Sequence, residues 1–570
     1  MANVADVSHD TSFKGTGVVG GVRYARAVWI TPRPALPTAG AEIPEDGREN
    51  EQSRFTVAAD TVSSRLLARS ESVTGAASEV LKATAGMVDD RGWRRAVAKN
   101  IKGGHPAEYA TVLATDKFIE MFEKAGGIIA ERITDLRDIR DRVIAELRGE
   151  PEPGLPAVDG QVILFAEDLS PADTAALDTD LFIGLVTELG GPTSHTAIIA
   201  RQLNVPCIVA AGAGIKRISS GTKVLIDGSL GTVLVNPDED MALAQVEESR
   251  ARAAKIAQWT GPAQTRDGHR VQLLANVQDG ATARTASTTV AEGIGLFRTE
   301  LCFLSSTEEP SVEEQADIYA RVLEAFPESK VVVRTLDAGS DKPVPFTSMP
   351  EEMNPSLGVR GLRIAFDNEG LLTRQLDAIA RAATELGRDD TAPTWVMAPM
   401  VATVGEAKWF ARLCRERGLI PGAMIEVPAA ALMADKIMPH LDFVSIGTND
   451  LTQYAMAADR MAPSLASLTD PWQPAVLRLI KMTCDEGQRQ DVPVGICGEA
   501  AADPLLAVVL TGLGVNSLSA ASTALAGVGA QLAEVDLATC RQAAVAALDA
   551  EDALRAREAV RAAIAAGQPG

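Results

Sequence analysis

The spacing of apolar positions changes along the chain, and each change marks a different kind of element. Between about residues 45 and 149 they recur at steps of three and four. Ile133, Leu136, Ile139, Val143 and Leu147 make one stripe, and Tyr109, Val112, Leu113, Phe118, Met121 and Phe122 make another. That period puts each stripe on one face of an amphipathic helix. With two earlier segments, residues 54–74 and 79–99, the pattern predicts four helices. On either side the apolar residues come in short runs. Residues 28–30, 161–166, 181–186, 205–210, 223–228 and 232–237 predict strands, with helical segments among them, and so a compact α/β domain. A Gly-rich stretch (14–22) precedes the first run, and a Pro-rich connector (31–44) leads into the helices.

Residues 238–259 are charged and Ala-rich without Pro or Gly, and predict one linking helix on which the flanking parts can pivot. Beyond it lie eight apolar runs: 271–277, 293–299, 330–337, 395–401, 421–426, 443–450, 492–499 and 515–521. Most are separated by helical patterns, as at 371–386 and 405–417. Eight buried strands alternating with helices over about 300 residues are what a (β/α)8 barrel requires. An Ala-rich tail, 537–566, adds closing helices. The fold class expected is therefore multidomain α/β. A discontinuous α/β swivelling domain (1–30 and 151–237) carries a four-helix insert (31–150), a linker (238–262) follows, and a TIM barrel occupies 263–570.

Composition narrows the function. The 570-residue chain has a formal net charge of −22, which argues against nucleic acid or an anionic membrane as its main partner. It also sets a condition: an anionic substrate needs a local arginine cluster to overcome that field. The first residues lack the basic and apolar regions of a signal peptide, and no apolar run approaches a membrane span. Six cysteines without a C-x-x-C pair fit reduced thiols in a cytoplasm, and five histidines make a His-built metal cluster improbable.

The chemistry is expected at two places. The first is residues 190–201, GGPTSHTAIIAR, between a strand-like run and a helical one. Two glycines and Pro192 make a turn, Thr193 or Ser194 can cap the helix, and His195 falls near its N-terminus, which favours anions. A histidine there can accept and hand on a phosphoryl group; the segment alone fits an incidental capping turn equally well. The second place is the set of strand ends. They carry Arg298-Thr299-Glu300, Arg334 to Asp337 with Lys342 beyond, Glu426, Thr448-Asn449-Asp450 and Cys497, while a loop adds Arg360 and Arg460 follows the sixth run. Active sites of (β/α)8 barrels are built from those ends. Arg298, Arg334, Arg360 and Arg460 form an anion clamp, since a guanidinium matches phosphate and carboxylate bidentately. Glu426 and Asp450 suit Mg²⁺ beside a phosphate, and Cys497 can give or take a proton. A small substrate with both a phosphate and a carboxylate fits that inventory.

These motifs are recognisable. GGPTSHTAIIAR, GIGLFRTE, VVVRTLDAGSDK, NPSLGVRGLR, MIEVPAAAL, SIGTNDLTQYAMAADR and GICGEAA occur in this order, and the whole chain resembles Enzyme I of the bacterial sugar phosphotransferase system. The resemblance implies that His195 is phosphorylated at its tele nitrogen by phosphoenolpyruvate. It implies that Arg298 and Arg334 bind the phosphate, that Arg460 and Asn449 line the substrate, and that Glu426 and Asp450 hold Mg²⁺. Cys497 matches the proton donor to enolpyruvate, and Thr174 a threonine that orients the histidine. The helical insert matches a platform for the phosphocarrier HPr, although its polar faces also fit simple solvated surface, and members of the family dimerise through the barrel. Two departures stand out: Pro192 where many relatives have arginine, and NPSLGVRG where many read NPFLGWRA. A phosphoenolpyruvate synthase or pyruvate–phosphate dikinase is the nearest alternative, but no Gly-rich nucleotide loop is found. A non-catalytic HPr-binding scaffold would show gaps among the strand-end residues, and there are none.

Overall fold

The computed structural model describes residues 11–39, 42–72, 76–125, 133–156, 158–169, 173, 177–191, 194–304, 306, 308–340, 344, 346, 352–388, 392–460, 462 and 465–567. The chain forms two compact units, Met1–Ala251 and Arg252–Gly570. The predicted linking helix is present as Glu239–Ala257, and the boundary between the units falls inside it.

In the first unit an eight-stranded sheet has the order β1-β8-β7-β3-β4-β5-β6-β2. Its strands are β1 (Thr11–Lys14), β2 (Thr16–Val19), β3 (Val22–Trp29), β4 (Val162–Ala166), β5 (Phe182–Thr187), β6 (Cys207–Val209), β7 (Lys223–Asp227) and β8 (Thr232–Val235). Strands β3 to β6 run parallel, and the edges are antiparallel. All six expected runs are strands. The Gly-rich opening adds β1 and β2, because pairing with β8 and β6 satisfies a backbone whose side chains alone show no clear period. The apolar layers on the two faces of this sheet are separate, one around Ile163, Phe165 and Val186, the other around Leu164, Leu185 and Cys207.

The insert holds five helices among the described residues, α1 (Arg48–Ser72), α2 (Ala76–Val88), α3 (Arg91–Lys102), α4 (Ala107–Ala125) and α5 (Ile133–Arg148). Predicted segment 79–99 is two of them. Asp90 breaks it by capping α3, its carboxylate accepting the Trp93 N–H at 2.7 Å. The stripe of α5 is inward as predicted, with Leu136, Ile139 and Val143 buried. That of α4 holds in part: Val112 is buried and Phe118 and Phe122 pack on the core, but Ala107, Ala110 and Ala114 face it as well, whereas Met121 is 51% exposed. Small alanines let α4 approach closely, a contact that a search for large apolar residues overlooks.

The second unit is a closed parallel barrel of the eight predicted strands, most of them shorter than predicted at one or both ends and two starting one residue earlier. They are β9 (Gln272–Val277), β10 (Gly293–Arg298), β11 (Lys330–Arg334), β12 (Thr394–Ala398), β13 (Ile420–Ile425), β14 (Phe443–Ile446), β15 (Val494–Ile496) and β16 (Ser517–Ala520). Register continues from β16 back to β9, pairing Leu518 with Leu273 and Ala520 with Ala275. Closure leaves no edge strand and fixes which ends point the same way. The tail supplies the expected helices, Leu537–Leu548 and Ala553–Gly567. The helix Leu537–Leu548 packs so tightly on Pro504–Leu513 that a Cβ at Gly512 would lie 2.0 Å from the Cys540 carbonyl oxygen. Gly512→Ala should therefore destabilise the barrel by about 1–3 kcal/mol. Urea unfolding followed by tryptophan fluorescence measures it; an unchanged midpoint would contradict that packing.

Candidate active site

The first half of the chemistry stands at a helix start. Gly190 (φ +92°) turns the chain after β5, and a helix begins at His195 and runs to Leu203. Of the two expected caps, Ser194 is the one in place, its hydroxyl accepting the Ala197 N–H at 3.3 Å. Thr196, next to the histidine, is buried and donates its hydroxyl to Asp168 at 3.0 Å. Asp168 lies in the loop that follows β4, so it ties the helix start to the sheet. The helix stops at Asn204 in the left-handed region (φ 53°). His195 is thus the first residue of a helix, where backbone N–H groups are unpaired and anions are favoured. Thr174 and Pro192, along with Thr193 and Lys342, lie outside the described residues.

The second half is the C-terminal mouth of the barrel. Arg298 and Arg334, the last residues of β10 and β11, are register partners and so stand side by side. Two like charges placed opposite each other repel and call for anions near them. Arg334 has them in the protein: Glu300 accepts from its Nη2 at 2.5 Å, and Asp337 lies 3.2 Å from its Nη1. Its Nε is buried without a partner. Arg298, half-buried, has no carboxylate within ion-pair distance among the described residues.

Arg360 is the most heavily engaged. Its Nε and Nη2 donate to Asp337, both at 2.9 Å. Nη1 donates to Asp450 at 2.9 Å, and Nη2 reaches the second Asp450 oxygen at 3.3 Å. The Tyr454 hydroxyl accepts from Nη1 at 3.3 Å. Arg360 therefore sits as a bridge between two carboxylates, one of them an expected metal ligand. Asn449 and Asp450 are not strand residues as their run suggested. They occupy the first turn of the helix Thr448–Met456. There the Asn449 side chain accepts the Glu499 N–H at 3.0 Å, tying the ends of β14 and β15 together. Arg460 follows that helix, with its backbone N–H on Gln453 at 3.1 Å.

Glu426 is fully buried at the end of β13. One carboxylate oxygen accepts the Met400 N–H at 2.7 Å; the other has no hydrogen-bond partner. Burial, followed by the charges of Asp450 and Asp337, holds its pKa well above the usual carboxylate range, while Arg334 and Arg360 pull it back. Gly447 makes room for it, since a Cβ there would lie 2.6 Å from the unpartnered oxygen. A buried carboxylate oxygen with an open lone pair, beside a second carboxylate, fits a hard divalent cation whose remaining ligands are water and substrate oxygens. The described residues contain no group of three or more His, Cys, Asp or Glu side chains arranged for a metal. Cys497, at the end of β15, is buried against Met397, Met424 and Phe443. Burial pushes its thiol up to about 11, so it is a protonated acid at neutral pH.

The reading of the residues named Glu300 and Asp337 at the strand ends but gave them no part, and it missed Met400 and Tyr454. Tyr454 follows Asp450 by four residues on one helix, a spacing that puts side chains together, whereas Asp337 reaches Arg334 across the non-helical turn after β11. Met400 had no such signal. It acts through its backbone N–H, in a left-handed conformation (φ 61°) unusual for its type.

Three family models match in chain order: "PEP-utilising enzyme, N-terminal" over residues 14–132, "PEP-utilising enzyme, mobile domain" over 158–231, and "PEP-utilising enzyme, PEP-binding domain" over 252–537. The chain is 46% identical to a phosphoenolpyruvate-protein phosphotransferase of Streptomyces coelicolor, covering 97% of this chain and 99% of the relative. It is 40% identical to the protein of that name from Haloferax volcanii (80% and 81%). A multiphosphoryl transfer protein of Xanthomonas campestris is 41% identical over 85% of this chain and 59% of the relative. The chain belongs to the PEP-utilising enzymes and, within them, to the phosphoenolpyruvate-protein phosphotransferase family.

The raised pKa of Glu426 makes a stability prediction. A carboxyl whose folded pKa lies above its unfolded value costs stability as pH rises through the unfolded value toward the folded one. Glu426→Gln keeps the acceptor for Met400 and removes that cost. Its melting midpoint should exceed that of wild type by at least about 2 °C at pH ~9. The gap should close toward pH ~5, as thermal melts across the range would show.

Proposed function

We propose that this chain moves the phosphoryl group of phosphoenolpyruvate onto His195 and then to the histidine of the phosphocarrier HPr, releasing pyruvate. This is the first general step of sugar uptake by a phosphotransferase system. The observation that carries the reading is the arginine pair Arg298 and Arg334 set side by side at one barrel mouth, next to the orphaned carboxylate oxygen of Glu426. A doubly charged phosphate answers the arginines, and a divalent cation bound with it answers the carboxylate oxygen.

Arg298, Arg334, Arg360 and Arg460 bind the substrate's anionic groups, with Asn449 and Asp450 against it, and the phosphoryl transfer depends mainly on position and charge stabilisation. Glu426 and Asp450 would hold Mg²⁺, which supplies charge neutralisation at phosphate and enolate oxygens when bound. Neutral His195, its proton on Nδ1, attacks phosphorus in line through Nε2. The N–P bond forms as the P–O bond to enolpyruvate breaks. Cys497 then gives its proton to the methylene carbon of enolpyruvate, making the methyl group of pyruvate, and the thiolate is reprotonated from water. The thiol's raised pKa keeps that proton in place near neutral pH. Thr174 orients the histidine, the helical domain docks HPr, and two copies associate through their barrels. The protein works in the cytoplasm; no helix among the described residues is long and apolar enough to cross a membrane.

Incubation with ³²P-labelled phosphoenolpyruvate and Mg²⁺ tests the reading. Wild type should take up acid-labile label and release pyruvate, and His195→Ala should take up none. Cys497→Ala should slow pyruvate formation by about 10²-fold or more. Onward transfer of label to HPr separates this function from a dikinase and from a scaffold. An unlabelled wild type, or a labelled His195→Ala, would overturn it.

A further inference from the structure

Behind the paired arginines lies a buried polar chain that the proposed reaction does not use. Gln375, on the helix Glu369–Glu385, is 2% exposed, and its carboxamide is fully committed. The Leu336 backbone N–H donates to its Oε1 at 3.0 Å. That bond fixes the orientation of the amide, because a backbone N–H can only donate. Nε2 must then be the donor, and its two protons go to Thr299 Oγ1 at 3.2 Å and to the Tyr319 hydroxyl at 3.1 Å. Thr299 passes its own proton to the Arg334 carbonyl oxygen at 2.9 Å. Tyr319 donates to Gln315 Oε1 at 3.2 Å, and Gln315 donates to the Pro310 carbonyl at 2.9 Å. Thr299, Tyr319 and Gln315 are completely buried.

Every bond in the chain has one possible direction, and one residue type at 375 satisfies it. A glutamate lacks the two donors, and a leucine or methionine has neither donor nor acceptor. The residues tied together are those next to the clamp: Thr299 follows Arg298, and Leu336 follows Arg334 by two. In low dielectric an unmade bond at any link costs a full desolvation penalty, so the arrangement is held in one geometry.

We infer that Gln375 is a positioning residue for phosphoryl recognition: from behind the barrel wall it couples the ends of β10 and β11 and sets the spacing of Arg298 and Arg334. This rests on the reading of those arginines as the phosphate clamp. It acts on the phosphoryl group rather than on the carboxylate or the enol, because β10 and β11 are the only barrel strands whose ends the amide touches, its remaining bond going to Tyr319 on an outer helix.

The test uses the full chain carrying His195→Ala, in which bound phosphoenolpyruvate is not consumed, with Mg²⁺ present. Calorimetry compares phosphoenolpyruvate with pyruvate, which lacks the phosphoryl group. Gln375→Leu should raise the Kd for phosphoenolpyruvate about tenfold and leave that for pyruvate within about twofold. Thr299→Val, nearly isosteric, should give the same split even where Gln375→Leu folds poorly. Thr299→Ser, which keeps the hydroxyl, should restore wild-type binding. The double variant should be no worse than either single one. Equal weakening of both ligands, or losses that multiply in the double variant, would overturn the inference and leave the network a structural one. A Gln375-intact background that binds no phosphoenolpyruvate would overturn the functional reading itself, and this inference with it.

Discussion

At the barrel mouth Arg360 is held by two carboxylates at once, and one of them, Asp337, also lies against Arg334. The rest of the site depends on this shared charge. Burying a guanidinium is tolerable only when its donors are matched, and removing one partner of a buried pair strands the other. Asp337, Asp450 and Glu300 therefore hold Arg334 and Arg360 in an apolar wall that would otherwise reject them. The required arginine cluster exists in this acidic protein because it brings its own counter-ions. Those counter-ions leave Glu426 in excess, with an oxygen unsatisfied and its ionisation opposed. A cation and an anionic substrate that enter together relieve both imbalances.

The scaffold contributes by leaving space as much as by placing groups. Gly447 leaves room for the Glu426 carboxylate, and Met400 adopts a strained backbone to present its N–H to the same group. Strain of this kind persists where the surroundings over-determine it. Barrel closure provides that, because strands paired on both sides cannot relax independently.

In the other unit, the polar groups serve a helix start. Ser194 caps the helix, and Asp168 receives Thr196 from its first turn. The residue between them is His195. A phosphoryl acceptor there gains from unpaired N–H groups without needing a cation of its own. The two units offer negative charge different partners: the barrel mouth has guanidinium groups, and the sheet domain has the backbone at a helix N-terminus.

The sequence by itself determined the eight barrel strands, the six main strands of the sheet domain and which polar residues stand at the strand ends. Those features arise from period and local turn chemistry, which a linear chain records. It also placed His195 at a helix start. It did not give the split of residues 79–99, where a capping aspartate outweighed a continuous apolar period, or the inward alanines of α4, whose burial comes from close packing. Nor did it disclose that Arg360 rests on Asp337 and Asp450, or that Met400 serves Glu426 through its backbone. Partners far apart in sequence, such as Arg360 and Asp450 or Gln375 and Thr299, are chosen by barrel closure, which sets distances that no local pattern encodes. The chain specified which groups are present; only the tertiary structure decided which charges face each other.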